Sequence, residues 1–244
     1  MLGKPKVKYI QTLGQKKFRE EEGMFIAEGP KIIKELLAEN YVKITALYAL
    51  KEWIDENKKL TGATQVTEIT EAELQKISQL KTPNKVVAIV QQFDVEREVS
   101  INNKITLILD GIQDPGNLGT IIRIADWFGV EQIICSYDTA DVYNSKVVQS
   151  TMGSIARVKI IYTNLPEWLS RQKDIRVFAT ALEGENINET KKINEGIIVF
   201  GNESKGISPE ILNLCTDKIT IPKKGKAESL NAAVAAGIVL SHIS

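Results

Sequence analysis

Three segments in the second half of this 244-residue chain carry side chains whose types and spacing fit ligand chemistry at helix and strand ends. The first, DGIQDPGNLGTIIRIADWFG at 110–129, runs from a strand end through an Asp-, Pro- and Gly-rich turn into a helix. Ile121, Ile124, Ala125 and Phe128 recur at i, i+3, i+4 and i+7, so that face packs on a sheet. Arg123 lies off the stripe. Long helical side chains lean toward their own N-terminus, which aims its guanidinium at the helix mouth, where Asn117 stands at or near the N-cap. Free N–H groups, an amide and an arginine at such a mouth suit a phosphate or a ribose. The same residues also fit a surface arginine paired with Asp126 and an asparagine that only caps.

The second segment, IIVFGNESKGISPEIL at 197–212, is an apolar strand that runs into two glycines, Gly201 and Gly206, around a carboxylate. The glycines let backbone approach a ligand while Glu203 is held at the strand's carboxyl end, where ligands of parallel sheets bind. A glycine-capped turn with a solvated Glu203 is the plainer alternative. GNESKGIS fits neither a P-loop nor GxGxxG. In the third, ITIPKKGKAESLNAAVAAGIVLSHIS at 219–244, a strand ends near Pro222, a basic loop follows, and Ser229 opens a small, nearly all-apolar helix expected over 229–243. Such a helix packs within a sheet stack or across a dimer interface, and Glu228, Ser229 and Asn231 are the polar groups near its start.

Composition removes several other chemistries. The single histidine, His242, serves neither a Ser-His-Asp nor a Cys-His enzyme, and Cys135 and Cys215 lack metal-ligand spacing. The two thiols read as reduced. No apolar run approaches the roughly 20 residues of a membrane span, and the basic start lacks a signal peptide's apolar stretch, so a cytoplasmic location is expected. Net charge is zero, from 31 basic and 31 acidic residues, but the balance is local. Lys4, Lys6, Lys8, Lys16, Lys17 and Arg19 cluster without an acid, as do Lys218, Lys223, Lys224 and Lys226, and these are candidate phosphate contacts. A solvated tail and a solubilising loop explain the same clusters.

These side chains are positioned by alternating β-branched runs and helical patterns, the mark of an α/β protein. Residues 1–94 read as a small α/β unit with strands at 24–28, 44–50, 65–69 and 85–91 and helices at about 30–39, 51–58 and 71–79. Thr70 and Glu73 fit a capping box. The polar stretch at 95–103 reads as a linker. Residues 104–244 then predict six strands separated by helices, a mostly parallel sheet covered on both faces, with helices at 117–128, 142–149 and 208–214 among them.

In order and spacing the three segments resemble motifs 1, 2 and 3 of the SpoU (TrmH-like) branch of the SPOUT RNA methyltransferases, closely over about 104–244. FIAEGPKIIKELL and TEAELQKISQLKTPNKVVAIV resemble the L30e-like substrate-binding domain that precedes the catalytic domain in many ribosomal RNA 2′-O-methyltransferases. The resemblance implies an S-adenosylmethionine cofactor, an RNA substrate, a homodimer through the catalytic domain, and a sheet whose C-terminal part is threaded into a deep trefoil knot. By position it implies that Asn117, Arg123, Glu203, Ser229 and Asn231 are catalytic. It places Thr180, Gly201, Gly206, Ile221 and Leu230 around the cofactor. Ile124, Ser204-Lys205 and Lys223-Lys224 depart from the family's usual residues and bear on target choice rather than reaction type. Ribosomal RNA is the substrate the first domain favours; transfer RNA is the alternative, and a non-catalytic RNA-binding factor is the alternative in another class. An ordinary Rossmann oxidoreductase is disfavoured, because DGIQDPGNLG stands where GxGxxG belongs.

Overall fold

A computed structural model of the chain describes residues 2–62, 64–94 and 100–243; of the expected linker, residues 95–99 lie outside them. The elements of the first part are α1 (Lys4–Thr12), α2 (Lys16–Glu22), β1 (Met24–Glu28), α3 (Pro30–Ala38), β2 (Ile44–Ala49), α4 (Lys51–Thr61), β3 (Val66–Glu68), α5 (Glu71–Ile77) and β4 (Val86–Gln91). From residue 105 follow β5 (Ile105–Asp110), α6 (Pro115–Trp127), β6 (Gln132–Cys135), α7 (Ser145–Thr151), β7 (Lys159–Tyr162) and α8 (Leu165–Ser170). The chain continues through β8 (Val177–Asn186), β9 (Gly196–Gly201), α9 (Pro209–Leu212), β10 (Asp217–Thr220) and α10 (Ala232–Ile243). Two compact units result, one formed by the residues up to Asp94 together with Asp141–Ala156, the other by the remainder.

The first unit holds a sheet of order β1-β4-β2-β3, with β4 antiparallel to β1 and β2, and β2 parallel to β3. Thr70 and Glu73 form the expected capping box at the start of α5. The basic N-terminal stretch is not a tail: it forms α1 and α2, with Ile10 and Leu13 buried among Ile26, Val87 and Ile89. Arg19 is withdrawn from the candidate phosphate contacts. Only 3% exposed, it donates to the carbonyls of Leu13 and Gly14 (3.0 and 2.8 Å) and to the Asp141 carboxylate (2.5 Å). The segment 141–156 also packs in this unit, where Tyr143 lies 4.8 Å from the Phe25 ring and its hydroxyl accepts the Phe93 N–H.

The second unit is built on a six-stranded parallel sheet of order β10-β8-β9-β5-β6-β7. Ile108, Ile134, Val177, Ile197 and Val199 pack in its core, which is why these strands read as continuous apolar runs. The chain leaves β5 toward β6 and β7 on one side, then returns to place β9 on the other side. Adjacent carboxyl ends of β5 and β9 therefore form a switch point, and the register pairs Asp110 with Gly201. Among the described residues no helix is long and apolar enough to cross a membrane.

Candidate active site

The Asp110–Gly201 pairing sets the loop after β5 beside the loop after β9. Asp110 accepts the Ser208 N–H (2.6 Å), and Asn202 Nδ2 donates to the Gly111 carbonyl (2.7 Å), so the two loops are tied directly. At the start of α6 the N-cap is Asp114 rather than the expected Asn117: its Oδ1 accepts the Asn117 N–H (2.9 Å), and Pro115 occupies the first turn, where no N–H is needed. Asn117 stands three positions into the helix, which frees its side chain from capping.

That side chain joins a row. Asn117 Nδ2 donates to Glu203 Oε1 (2.6 Å), and Asn231 Nδ2 donates to Asn117 Oδ1 (2.8 Å). The direction of the row is imposed at its far end, because Asn231 Oδ1 accepts the N–H groups of Ala233 (3.0 Å) and Val234 (3.2 Å) and so must turn its NH2 toward Asn117. Asn231, not Ser229, thus opens the last helix, which begins at Ala232 instead of 229. Ser229 lies in an exposed loop before it.

Beside the row is a cavity of about 980 Å³ whose wall includes Thr180, Gly201, Glu203, Gly206, Ile221, Ser229 and Leu230. The structure thus brings together every residue expected at the cofactor, and Thr180 is held by a hydrogen bond to the Val199 carbonyl (2.8 Å). Phe200, Leu182 and Val239 add apolar wall, while Lys205, Lys223 and Lys224 add cationic charge. Gly201 has no room for a side chain, since a Cβ there would sit 2.2 Å from the Gly206 carbonyl carbon.

Arg123 is not part of the row. It is exposed on α6, six residues beyond Asn117, hence about 9 Å along the axis and about 120° around it. Nor does it pair with Asp126, whose carboxylate is held by Arg157 at 2.8–3.2 Å. Burial pushes the Cys135 thiol well above its ordinary range and the Cys215 thiol up to about 11, so neither supplies a thiolate near neutral pH. Sequence reasoning missed Asp110, Asp114 and Asn202; the only local signal was a cluster of Asp and Asn at strand ends, which turns share.

A nucleotide-sized molecule in this cavity would lie against loop backbone and beside a carboxylate at a sheet switch point, the layout of an α/β enzyme acting on a nucleotide or its derivative. Residues 104–241 match the SpoU rRNA Methylase family and residues 4–88 match an MRM3-like substrate binding domain. The chain belongs to the SpoU rRNA methylase family. It is 30% identical over 251 residues to the 23S rRNA (guanosine(2553)-2′-O)-methyltransferase RlmP of Bacillus subtilis, an alignment covering 98% of this chain and 95% of that protein. An AdoMet-bound rRNA methyltransferase from Sinorhizobium meliloti superposes with a TM-score of 0.88 at 32% identity, covering 100% of this chain and 95% of that one. The SpoU methyltransferase AviRb from Streptomyces viridochromogenes, in complex with AdoMet, superposes at 0.82 with 25% identity, over 97% and 96% of the two chains.

Proposed function

We propose that this protein transfers a methyl group from S-adenosylmethionine to a ribose 2′-hydroxyl of ribosomal RNA. The observation that carries this reading is the Asn231–Asn117–Glu203 row at the edge of the cavity lined by Thr180, Gly201, Gly206, Ile221 and Leu230. The cavity fits the cofactor chemically: apolar wall from Phe200 and Leu182 suits a purine ring, and loop backbone with Lys223 and Lys224 suits hydroxyl and carboxylate groups. When bound, S-adenosylmethionine supplies a methyl group on a sulfonium, a leaving group that needs no further activation.

The chain's own residues must then hold the hydroxyl and take its proton. Glu203 Oε1 is occupied by Asn117, which leaves Oε2 to accept the proton, directly or through a water. Arg123 is no base, since a guanidinium presents five N–H donors and no acceptor. Its role is to grip the neighbouring phosphate and stabilise the alkoxide. Because it stands on the outer face of α6, it reaches a site when two copies pair through that face. Trp127 (83% exposed) lies one turn beyond it, and on α10, packed on α6, Val234 (51%) and Ile238 (38%) form an exposed apolar stripe. A homodimer through these helices buries the stripe and delivers one copy's Arg123 to the other's cavity.

The unit built on residues 1–94 binds the RNA substrate, with Lys4, Lys6, Lys8, Lys16 and Lys17 exposed on α1 and α2 as phosphate contacts. Residues 104–244 form the catalytic domain, apart from 141–156, which pack with the first unit. The path from β9 to α10 is read as the deep trefoil knot, and the location as cytoplasmic. The test is transfer of labelled methyl from S-adenosylmethionine to unmodified ribosomal and transfer RNA transcripts, run beside Arg123→Ala. Label in ribosomal RNA that resists alkaline cleavage at one linkage, and vanishes in the variant, is the expected result. Label in transfer RNA alone overturns the substrate, and cofactor binding without labelling of any RNA or ribosomal particle overturns the activity.

A further inference from the structure

A carboxylate on a loop keeps its aim only if the loop backbone is held, and Glu203 is the first residue of the short turn that the Asn202–Gly206 bridge closes. Asn202 holds that loop in three ways. Its N–H donates to the Gly206 carbonyl (3.0 Å) and its carbonyl accepts the Gly206 N–H (2.8 Å), which closes the loop. Its Oδ1 accepts the N–H groups of Ser204 (2.9 Å) and Lys205 (3.1 Å), which sets the turn on the far side of Glu203. Its Nδ2 donates to the Gly111 carbonyl (2.7 Å), and Gly111 is itself anchored, because its N–H donates to Ser136 Oγ (2.8 Å).

We propose that Asn202 is a positioning residue for methyl transfer, which aims the Glu203 carboxylate by tying its loop to the end of β5. The inference rests on the reading of Glu203 as the proton-accepting member of the row. Glu203 is thereby held from two sides: Asn117 bonds its carboxylate, and Asn202 bonds its backbone to the strand that leads into Asn117's helix. Aspartate at 202 would keep the acceptor that sets the turn and lose the donor that makes the tie. It separates aim from loop formation.

Methyl-transfer rates are measured for the full chain as wild type, Asn202→Asp, Glu203→Gln and the double variant, with S-adenosylmethionine affinity by calorimetry and the RNA KM. Asn202→Asp is expected to keep both cofactor affinity and KM within about threefold and to lose about 10–100-fold in rate, the scale of a small misplacement of a reacting group. The double variant should be no slower than Glu203→Gln, because Asn202 acts through Glu203. A double variant slowed by the full Asn202→Asp factor would overturn the proposal, as would cofactor affinity that falls in step with rate. If Asn202→Asp keeps its rate while Glu203→Gln loses it, the positioning role alone fails. If Glu203→Gln keeps its rate, the reading of Glu203 fails and the positioning role with it.

Discussion

Replacing Gly201 with alanine tests the cavity with a single methyl group. A Cβ at this position would lie 2.2 Å from the carbonyl carbon of Gly206, 2.3 Å from the Ile207 N and 2.5 Å from the Gly206 O. All three are backbone atoms, so no side chain can rotate away, and the Gly206–Ile207 side of the loop must lift from Gly201 and Asn202 by about an ångström to reach ordinary contact. Lifting it breaks the two Asn202–Gly206 hydrogen bonds, each worth about 0.5–1.5 kcal/mol. Overpacking adds about 1–3 kcal/mol. The sum is about 2–6 kcal/mol. Because this loop is half-exposed while the strand behind it is buried, loop opening relieves the clash more cheaply than unfolding of the sheet. With about 4 kcal/mol at stake the closed loop is populated about 1,000-fold less, and affinity falls by that factor. Calorimetry with S-adenosylmethionine should therefore show at least about 100-fold weaker binding, with a small change in the urea midpoint. Gly206→Ala is the internal comparison: a Cβ there meets nothing within 4 Å, so the cost is that of its φ of +70°, about 1–2 kcal/mol, and the loss is about 5–30-fold. A Gly201→Ala protein that binds the cofactor within threefold of wild type would mean that the loop accommodates the methyl group without opening.

Three further outcomes follow from the same geometry. Asn231→Asp keeps the cap on α10 but not the donor to Asn117, so thermal stability should hold while methyl transfer falls at least tenfold; Asn231→Ala should also lose about 1 kcal/mol of stability, and equal stability of the two variants would contradict this. If Arg123 acts across a dimer, inactive Arg123→Ala and Glu203→Gln chains, dissociated and mixed, should regain up to about a quarter of wild-type activity, because half the dimers then hold one complete site; mixtures that stay inactive place Arg123 in its own chain's site. Burial raises the folded-state pKa of Glu28, despite hydrogen bonds from Ser78 and the Gln79 N–H, so the folded state binds this proton more tightly and gains stability as pH falls through the raised value toward the unfolded value of about 4.3. Urea unfolding in steps from pH 7 down to about 4.3 should show wild type gaining on Glu28→Gln, and parallel pH dependence would mean that burial does not perturb Glu28.

What was legible in the sequence depended on whether its cause was local. ITLILD and GIIVFG announce buried parallel strands because their inner residues are buried on both faces, and Thr70 with Glu73 announces a cap because both partners lie within one turn. The N-terminal helices were hidden because lysines cover their outer faces and, of their apolar residues, only Ile10 and Leu13 are fully buried. The placement of 141–156 in the first unit depends on Arg19–Asp141 and Phe25–Tyr143, pairs more than 100 residues apart that no periodicity carries. At the site, the three motifs contained Asn117, Glu203 and Asn231, but both Ser229 and Asn231 satisfy the local rule for an N-cap.

What selects Asn231 is a demand from outside its helix. A serine hydroxyl or an aspartate could accept from the N–H groups of Ala233 and Val234, but only an amide also presents a fixed NH2 to Asn117. The same holds for Asn117 in the row and for Asn202 in the loop beside it. Asn117 accepts from Asn231 and donates to Glu203, and Asn202 accepts from Ser204 and Lys205 while donating to Gly111. Each of the three asparagines uses both halves of its amide, so aspartate, equal in size, cuts or reverses the row at 117 or 231 and cuts the tie to Gly111 at 202. The polarity that leaves Glu203 as the terminal acceptor is therefore set by the backbone N–H groups that open α10. That makes the cap of the last helix part of the site's chemistry as well as of its stability.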